Sequence, residues 1–210
     1  FTEGAKVSLS LTLPPFMLGL MLNVSLALLI AYYRDSFFDR FATAAAVMAM
    51  SVSYLVYIIA FQYLLAYNAD LFPINGYDSG LRSIPYLVLP GIIILMVTIG
   101  PDVRIYRTVF LDEIRADYVR TARAKGLSES KVMRRHVLRN AQIPMVTALG
   151  TEIPNLITGS IFIETIFRIN GLGKFFVTST LNRDYPMIMA TFLLVALLWG
   201  ITYMLTDIAY

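Results

Sequence analysis

His136 is the only imidazole in this 210-residue chain, and it stands among Arg134, Arg135 and Arg139 with no second His, no Cys and no nearby cluster of acids. One ring in a cationic neighbourhood makes neither a metal site nor a general-base relay. The lack of cysteine removes disulfides, thiolate metal sites and Cys nucleophiles together. A phosphate-cradling G-x-x-x-x-G-K-[ST] loop is also missing, because Gly173-Lys174 is followed by Phe175. With no paired catalytic acids, nucleophile elbow or H-E-x-x-H motif, the expectation is a non-catalytic protein with no catalytic residue, no metal and no cofactor.

Two features still carry chemistry. Glu152, in GTEIPN, sits inside a long apolar run. An acid at membrane depth costs about 2.5–3.5 kcal/mol on insertion scales and is normally turned to a cavity or a partner. Pro154 removes a helix donor beside it and frees backbone carbonyls toward the same place. Two readings of Glu152 are open: a group on a solute path, or a protonated or hydrogen-bonded acid in a helix interface. The other feature is VRTARAKGLSESKVMRRHVLRN (119–140), which packs seven Arg or Lys and the lone His into one helix-prone stretch. Asp102, after Gly100-Pro101, is expected to have a local structural role beside a basic neighbour.

The elements that must position these groups are membrane helices. Hydrophobic residues make up 58% of the chain and charged ones only 15%, and the mean hydropathy of +0.68 lies outside the range of soluble domains. Spanning the hydrocarbon takes roughly 20 apolar residues. Five stretches qualify, approximately Leu11 to Tyr33, Phe41 to Tyr67, Tyr86 to Tyr106, Ile143 to Ile163 and Met187 to Ala209, with Tyr32, Tyr33, Tyr67, Tyr86 and Tyr210 near ends where interfacial aromatics belong. The net charge of +3 does not point to nucleic acid, since the cations lie in loops between apolar runs. With the 107–142 loop inside, twelve Lys and Arg fall on the inner side and five (Lys6, Arg82, Arg168, Lys174, Arg183) on the outer. The positive-inside rule therefore places the C-terminus in the cytoplasm. Phe1 instead of Met, and a first apolar run too long for a signal peptide, suggest a fragment whose start, with a leading span, is missing.

Outer loops are expected at about 68–85 and 164–186. The first is rich in Asn, Asp, Gly, Ser and Pro and reads as a connector. The second reads as a Gly171-Leu-Gly173 turn and a short interfacial helix bearing Phe175, Phe176 and Leu181, stopped by Asn182-Arg-Asp-Tyr-Pro186. Pro14-Pro15 is expected to kink or start the first span. Within the long inner loop, Asp117 to Lys125 favours helix, Gly126 offers the left-handed conformation that ends one, and Ser128 with Glu129 starts the next. Tyr118 and Ala122, four apart, share a face flanked by Arg115, Arg120 and Arg123, a small patch that a soluble partner could grip. Val132, Met133, Val137 and Leu138 give the second helix an apolar side toward the bundle. The plainer alternative is a basic anchor on anionic headgroups, which has no use for a small-residue face followed by a Gly break.

Arg120-Thr-Ala122-Arg-Ala-Lys-Gly126 resembles the E-A-A-x-x-x-G loop of ATP-binding-cassette importer permeases. The longer run Asp117-Tyr-Val-Arg-Thr-Ala-Arg-Ala-Lys-Gly-Leu-Ser128, with Arg135-His-Val-Leu-Arg-Asn-Ala-Gln-Ile-Pro144, is similar to the first of the paired permeases in the dipeptide, oligopeptide and nickel group. Glu164-Thr-x-Phe167 with Gly171-Leu-Gly173, Asn182-Arg-Asp-Tyr-Pro186 and Asp207 agree, so the resemblance covers essentially the whole chain. It departs from the general motif at Arg120 (Glu), Thr121 (Ala) and Leu138-Arg139 (Leu-Pro), replacements similar to the peptide branch, and at Glu152, where that branch implies an uncharged polar residue.

The resemblance implies an all-α, polytopic bundle of the type I importer kind, residues 1–210 forming a single transmembrane permease domain in a prokaryotic inner membrane. It implies import of di- or oligopeptides, or alternatively nickel chelates or other small solutes. Its partners would be a second homologous permease, two ATPase subunits, an extracytoplasmic solute-binding protein and the lipid membrane. Tyr118, Arg120, Thr121, Ala122, Arg123 and Gly126 become coupling residues toward the ATPase, with Glu152 on the solute path. A channel or carrier that needs no ATPase is the competing class, and it would be expected to show ionisable groups along several spans.

Overall fold

The computed structural model describes residues 2–78, 80–150, 152–158 and 160–209. Every regular element among them is helical, which satisfies each backbone N–H within its own segment, one of the two ways a chain in lipid can do so. The α-helices are α1 (Thr2–Tyr32), α2 (Phe37–Ser51), α3 (Tyr54–Phe61), α4 (Ile84–Ile114), α5 (Asp117–Ala124), α6 (Glu129–Val132), α7 (Leu138–Gly150), α8 (Ile153–Thr158), α9 (Ile161–Ile166), α10 (Leu172–Leu181) and α11 (Tyr185–Ala209). Wider π turns at Gln62–Asn68 and Met133–Val137 continue α3 and join α6 to α7.

Among the described residues, α1, α4 and α11 are each long and apolar enough to cross a membrane, and two bent helix pairs raise the total to five if each pair is one span. Both α1 and α4 have 31 residues, about 46 Å at 1.5 Å per residue, so each extends past the hydrocarbon. Pro14-Pro15 is carried inside α1. Tyr210, expected at the end of the last span, lies outside the described residues.

The other two expected spans are interrupted. Between α2 and α3, Ser53 is extended at φ −61°, ψ 141°, and the Ser51 hydroxyl donates back to the Val47 carbonyl at 2.9 Å, a bond that competes with the helix ladder. The fourth apolar run bends between Gly150 and Ile153, and Pro154 falls in the first turn of α8, where a residue without an N–H is tolerated.

The chain divides into two compact units. One comprises Phe1–Leu18, Val52–Met96 and Gly150–Ala209. In it the Gly76 amide donates to the Phe167 carbonyl at 2.9 Å and Gln62 Nε2 to the Ile74 carbonyl at 2.7 Å, bonds that tie down the 68–85 connector. Asp184 Oδ1 accepts the Met187 amide at 3.2 Å and caps α11. The other unit comprises Gly19–Ser51 and Val97–Leu149. Its core joins Ala27, Ile30 and Ala31 of α1 to Val103, Tyr106, Phe110 and Ile114 of α4, and to Ala141 and Met145 of α7. Gly100 lets α2 close on α4: a Cβ there would lie 2.9 Å from the Ala46 carbonyl oxygen.

Candidate functional site

The expected inner loop is almost wholly helical. α4 continues to Ile114, and a turn closed by the Arg115 and Ala116 amides on the Asp112 and Glu113 carbonyls, both at 3.1 Å, leads into α5. Only residues 115–116 and 125–128 lie outside helices between Ile84 and Gly150. Gly126 adopts φ +79°, its amide donating to the Arg123 carbonyl at 2.9 Å while Leu127 donates to that of Ala122 at 3.4 Å. A Cβ at Gly126 would meet nothing within 4 Å. The left-handed backbone, then, is what demands glycine, with a penalty of about 1–2 kcal/mol for other residues.

Ser128 occupies the cap position of α6 with an extended backbone, but its hydroxyl caps nothing. Glu129 is held instead by Arg123, whose Nε and Nη2 donate to its two carboxylate oxygens at 3.0 and 2.7 Å. This forked pair ties α5 to α6 across the glycine turn. The hydrogen bond to Glu129 raises the Arg123 guanidinium above its ordinary pKa.

The sequence-predicted residues fall on two different faces of α5. Val119 is fully buried and Ala122 is 4% exposed, both against the core that contains Phe110, Ile114, Val132 and Val137. Tyr118 packs on the same core, and its hydroxyl donates to the Glu113 carboxylate; burial, followed by that neighbouring acid, pushes the phenol pKa up. The Tyr118–Ala122 patch expected to meet a partner is therefore turned into the chain's own core. Periodicity identifies a face but not what covers it, and here Leu127 and the second helix cover it. The opposite edge is bare: Asp117, Arg120, Thr121 and Ala124 are exposed at the spacing of one helical face. The Arg120–Asp117 contact there is 3.4 Å with side chains 73% and 95% exposed, too solvated to hold either residue.

Glu152 lies at the break between α7 and α8, exposed, with the Asn155 side-chain amide donating to it at 3.5 Å. Pro154 beside it is buried. Asp102 accepts from Asn23 Nδ2 at 2.8 Å, and His136 is half-buried in the π turn. Among the described residues no group of three or more metal-ligating side chains comes together.

A second acid has a built environment that residue-by-residue reading of the chain did not isolate. Glu164 of α9 is fully buried. Its Oε1 accepts the Ser8 hydroxyl at 2.7 Å and its Oε2 the Lys174 amide at 3.0 Å, while the Ser8 oxygen accepts the Leu172 amide at 2.9 Å. The carboxyl group thus caps the first turn of α10, where orphan N–H groups need an acceptor. Gly171 makes the approach possible: a Cβ on it would lie 2.4–2.5 Å from the carboxyl atoms of Glu164. The available signal was the glycine pair spaced by one residue after an acid. Ser8, 156 positions away, gave none.

The family described as binding-protein-dependent transport system inner membrane component matches residues 23–210. The chain is 34% identical over 208 residues to the dipeptide transport system permease protein of Bacillus subtilis, covering 99% of this chain and 66% of that protein. It is 34% identical over 207 residues to the dipeptide transport system permease protein of Lactococcus lactis (98% and 67% covered), and 34% over 209 residues to an oligopeptide transport system permease protein of Bacillus subtilis (97% and 66%). The chain spans about two thirds of the length of these curated relatives. By this match it is a helical, multi-pass membrane protein that belongs to the binding-protein-dependent transport system inner membrane component family.

Proposed function

We propose that this chain is the transmembrane subunit of an ATP-driven importer of di- or oligopeptides, forming half of the translocation path in a prokaryotic inner membrane. It works with a second homologous permease, two ATPase subunits that hydrolyse the ATP, and an extracytoplasmic binding protein that delivers the peptide. Its C-terminus and the 115–128 segment face the cytoplasm, as the distribution of twelve inner against five outer cations favours.

The observation that carries this reading is the split character of α5. Its exposed edge, Asp117, Arg120, Thr121 and Ala124, is left for an ATPase groove, while Val119 and Ala122 fasten it to α4 and to the helix leading into α7. A displacement applied to the exposed edge is then passed to two long helices through close-packed contacts rather than absorbed by slack chain. Arg120 and Thr121 meet the ATPase; Ala122, Arg123, Gly126 and Tyr118 set the position of the helix that does so. Glu152, exposed at a helix break, lies on the solute path and meets the peptide amine. The peptide transport named for the relatives of dipeptide and oligopeptide systems supports the cargo class.

Reconstitution of the chain with its partner permease and ATPases in proteoliposomes, supplied with a peptide-loaded binding protein, tests the proposal. Labelled dipeptide is expected to accumulate only with ATP. Accumulation without ATP or ATPase would make the chain a channel or carrier, and nickel uptake without peptide uptake would change the cargo.

A further inference from the structure

One cleft borders the α5 edge assigned to the ATPase above and shares Arg120 and Arg123 with α5, but the rest of its lining has no part in the import mechanism. It has a volume of about 410 Å³ and lies within the Gly19–Ser51, Val97–Leu149 unit, between the α1–α2 corner, the end of α4 and α5. Arg34, Arg107, Arg115, Arg120 and Arg123 line it, with Asp35 as the one acid and Leu111 and Ile114 as apolar floor. Two of the five guanidiniums are held in forked pairs, Arg107 donating to both oxygens of the buried Asp39 at 2.8 Å and Arg123 to Glu129, while Arg120 makes the solvated 3.4 Å contact to Asp117. Arg34 and Arg115 make no ion pair among the described residues, though Arg34 acts on Glu129 through space. Both are exposed. The α1–α2 corner is held in shape by Asp39, which accepts the Asp35 amide at 3.0 Å, and by the Ser36 hydroxyl, which accepts the Asp39 amide at 3.2 Å.

The flank of the same corner is aromatic and unburied. Phe37 is 84% and Phe41 62% exposed, their rings stacked at 6.3 Å, and Tyr32, Tyr33 and Phe38 form an edge-to-face chain beside Arg34. Interfacial aromatics belong at headgroup depth, and a basic recess next to them, with an apolar floor, is complementary to a phosphodiester joined to acyl chains. Guanidiniums suit the phosphate because they pair with its oxygens in a forked geometry.

We propose that this cleft binds the phosphate headgroup of an anionic phospholipid, with Arg34 and Arg115 as its principal contacts and Phe37 and Phe41 against the acyl chains. The site rests on the chain being membrane-embedded and not on its coupling to an ATPase. An acidic surface of the ATPase is the competing occupant, and Arg34 and Arg115 lie outside the α5 edge proposed for that contact.

The test reconstitutes the full chain in bilayers of mixed phosphatidylglycerol and phosphatidylcholine, extracts it in mild detergent, and counts retained lipids by native mass spectrometry. The expected result is selective retention of phosphatidylglycerol, reduced about tenfold in the Arg34→Gln/Arg115→Gln variant and unchanged in an Arg134→Gln/Lys131→Gln control that removes equal charge elsewhere. Equal retention of both lipids, or equal loss in the control, would overturn the site. So would displacement of the lipid by low-millimolar inorganic phosphate, which marks a free-phosphate site. Unchanged lipid retention in the Arg34→Gln/Arg115→Gln variant with lost ATPase capture would assign the cleft to protein. Failed peptide uptake with intact lipid selectivity removes the import proposal alone.

Discussion

The 115–128 and 160–174 segments both pin a short helix to a bundle, by opposite means. α5 is held by apolar contact, Val119 and Ala122 in a core, with a polar edge left bare. The first turn of α10 is held by a buried polar cradle in which Ser8 and Glu164 are both fully shielded from solvent and every bond is long-range in sequence or crosses an element boundary. Apolar packing loses energy gradually as helices shift, whereas a buried hydrogen-bond network is either satisfied or costly. The difference separates a segment suited to receive a partner's motion from one suited to stay fixed.

The largest expected effect lies in the cradle. Glu164→Ala leaves the Ser8 hydroxyl and the Lys174 amide without their acceptor, a cost of about 1–3 kcal/mol for each, so the apparent Tm in detergent should fall further than for any change in α5. A smaller loss than that of an exposed control would erase the contrast. Next comes Ala122→Asp, which puts a carboxylate into the core facing Phe110 and Ile114 and should cost roughly 3 kcal/mol. It should lower thermal stability as well as uptake, whereas an Ala122 that faced a partner would lose uptake alone. Gly126→Val, strained by about 1–2 kcal/mol or somewhat more for a branched residue, should leave the chain in the membrane, measured by fractionation, and uncouple uptake from ATP hydrolysis. The smallest effect on folding is expected for Arg120→Glu, within about 0.5 kcal/mol, with a salt-dependent drop in ATPase affinity read by titration.

Helical content, the Gly126 turn and the start of the next helix at Glu129 were legible because each rests on local chemistry: apolar run length and left-handed backbone freedom. The helix-Gly-helix pattern of residues 117–132 and the short helix after Gly171 came out as read, with α5 ending one residue earlier, at Ala124, and α10 taking Leu172 and Gly173 into its first turn. The interruptions at Ser53 and between α7 and α8 were not read as breaks in the spans: Ser51 and Ser53 carried a signal for the first, and Pro154 was read as a lost helix donor without the bend. The orientation of the Tyr118–Ala122 face was misjudged because a small residue at helical spacing fits a partner groove and the chain's own core equally well. The Glu164 cradle and the Arg107–Asp39 fork needed the fold, since their partners are far apart along the sequence.

A chain with no cysteine of its own allows the α5 assignment to be tested with single-Cys variants and a membrane-impermeant maleimide. In the isolated chain in detergent, Thr121→Cys should label fast and Val119→Cys hardly at all, because one side chain is exposed and the other fully buried. Assembly with the ATPase subunits should then protect Thr121→Cys. Labelling of Thr121→Cys at the same rate in the assembled transporter as in the isolated chain would contradict the account.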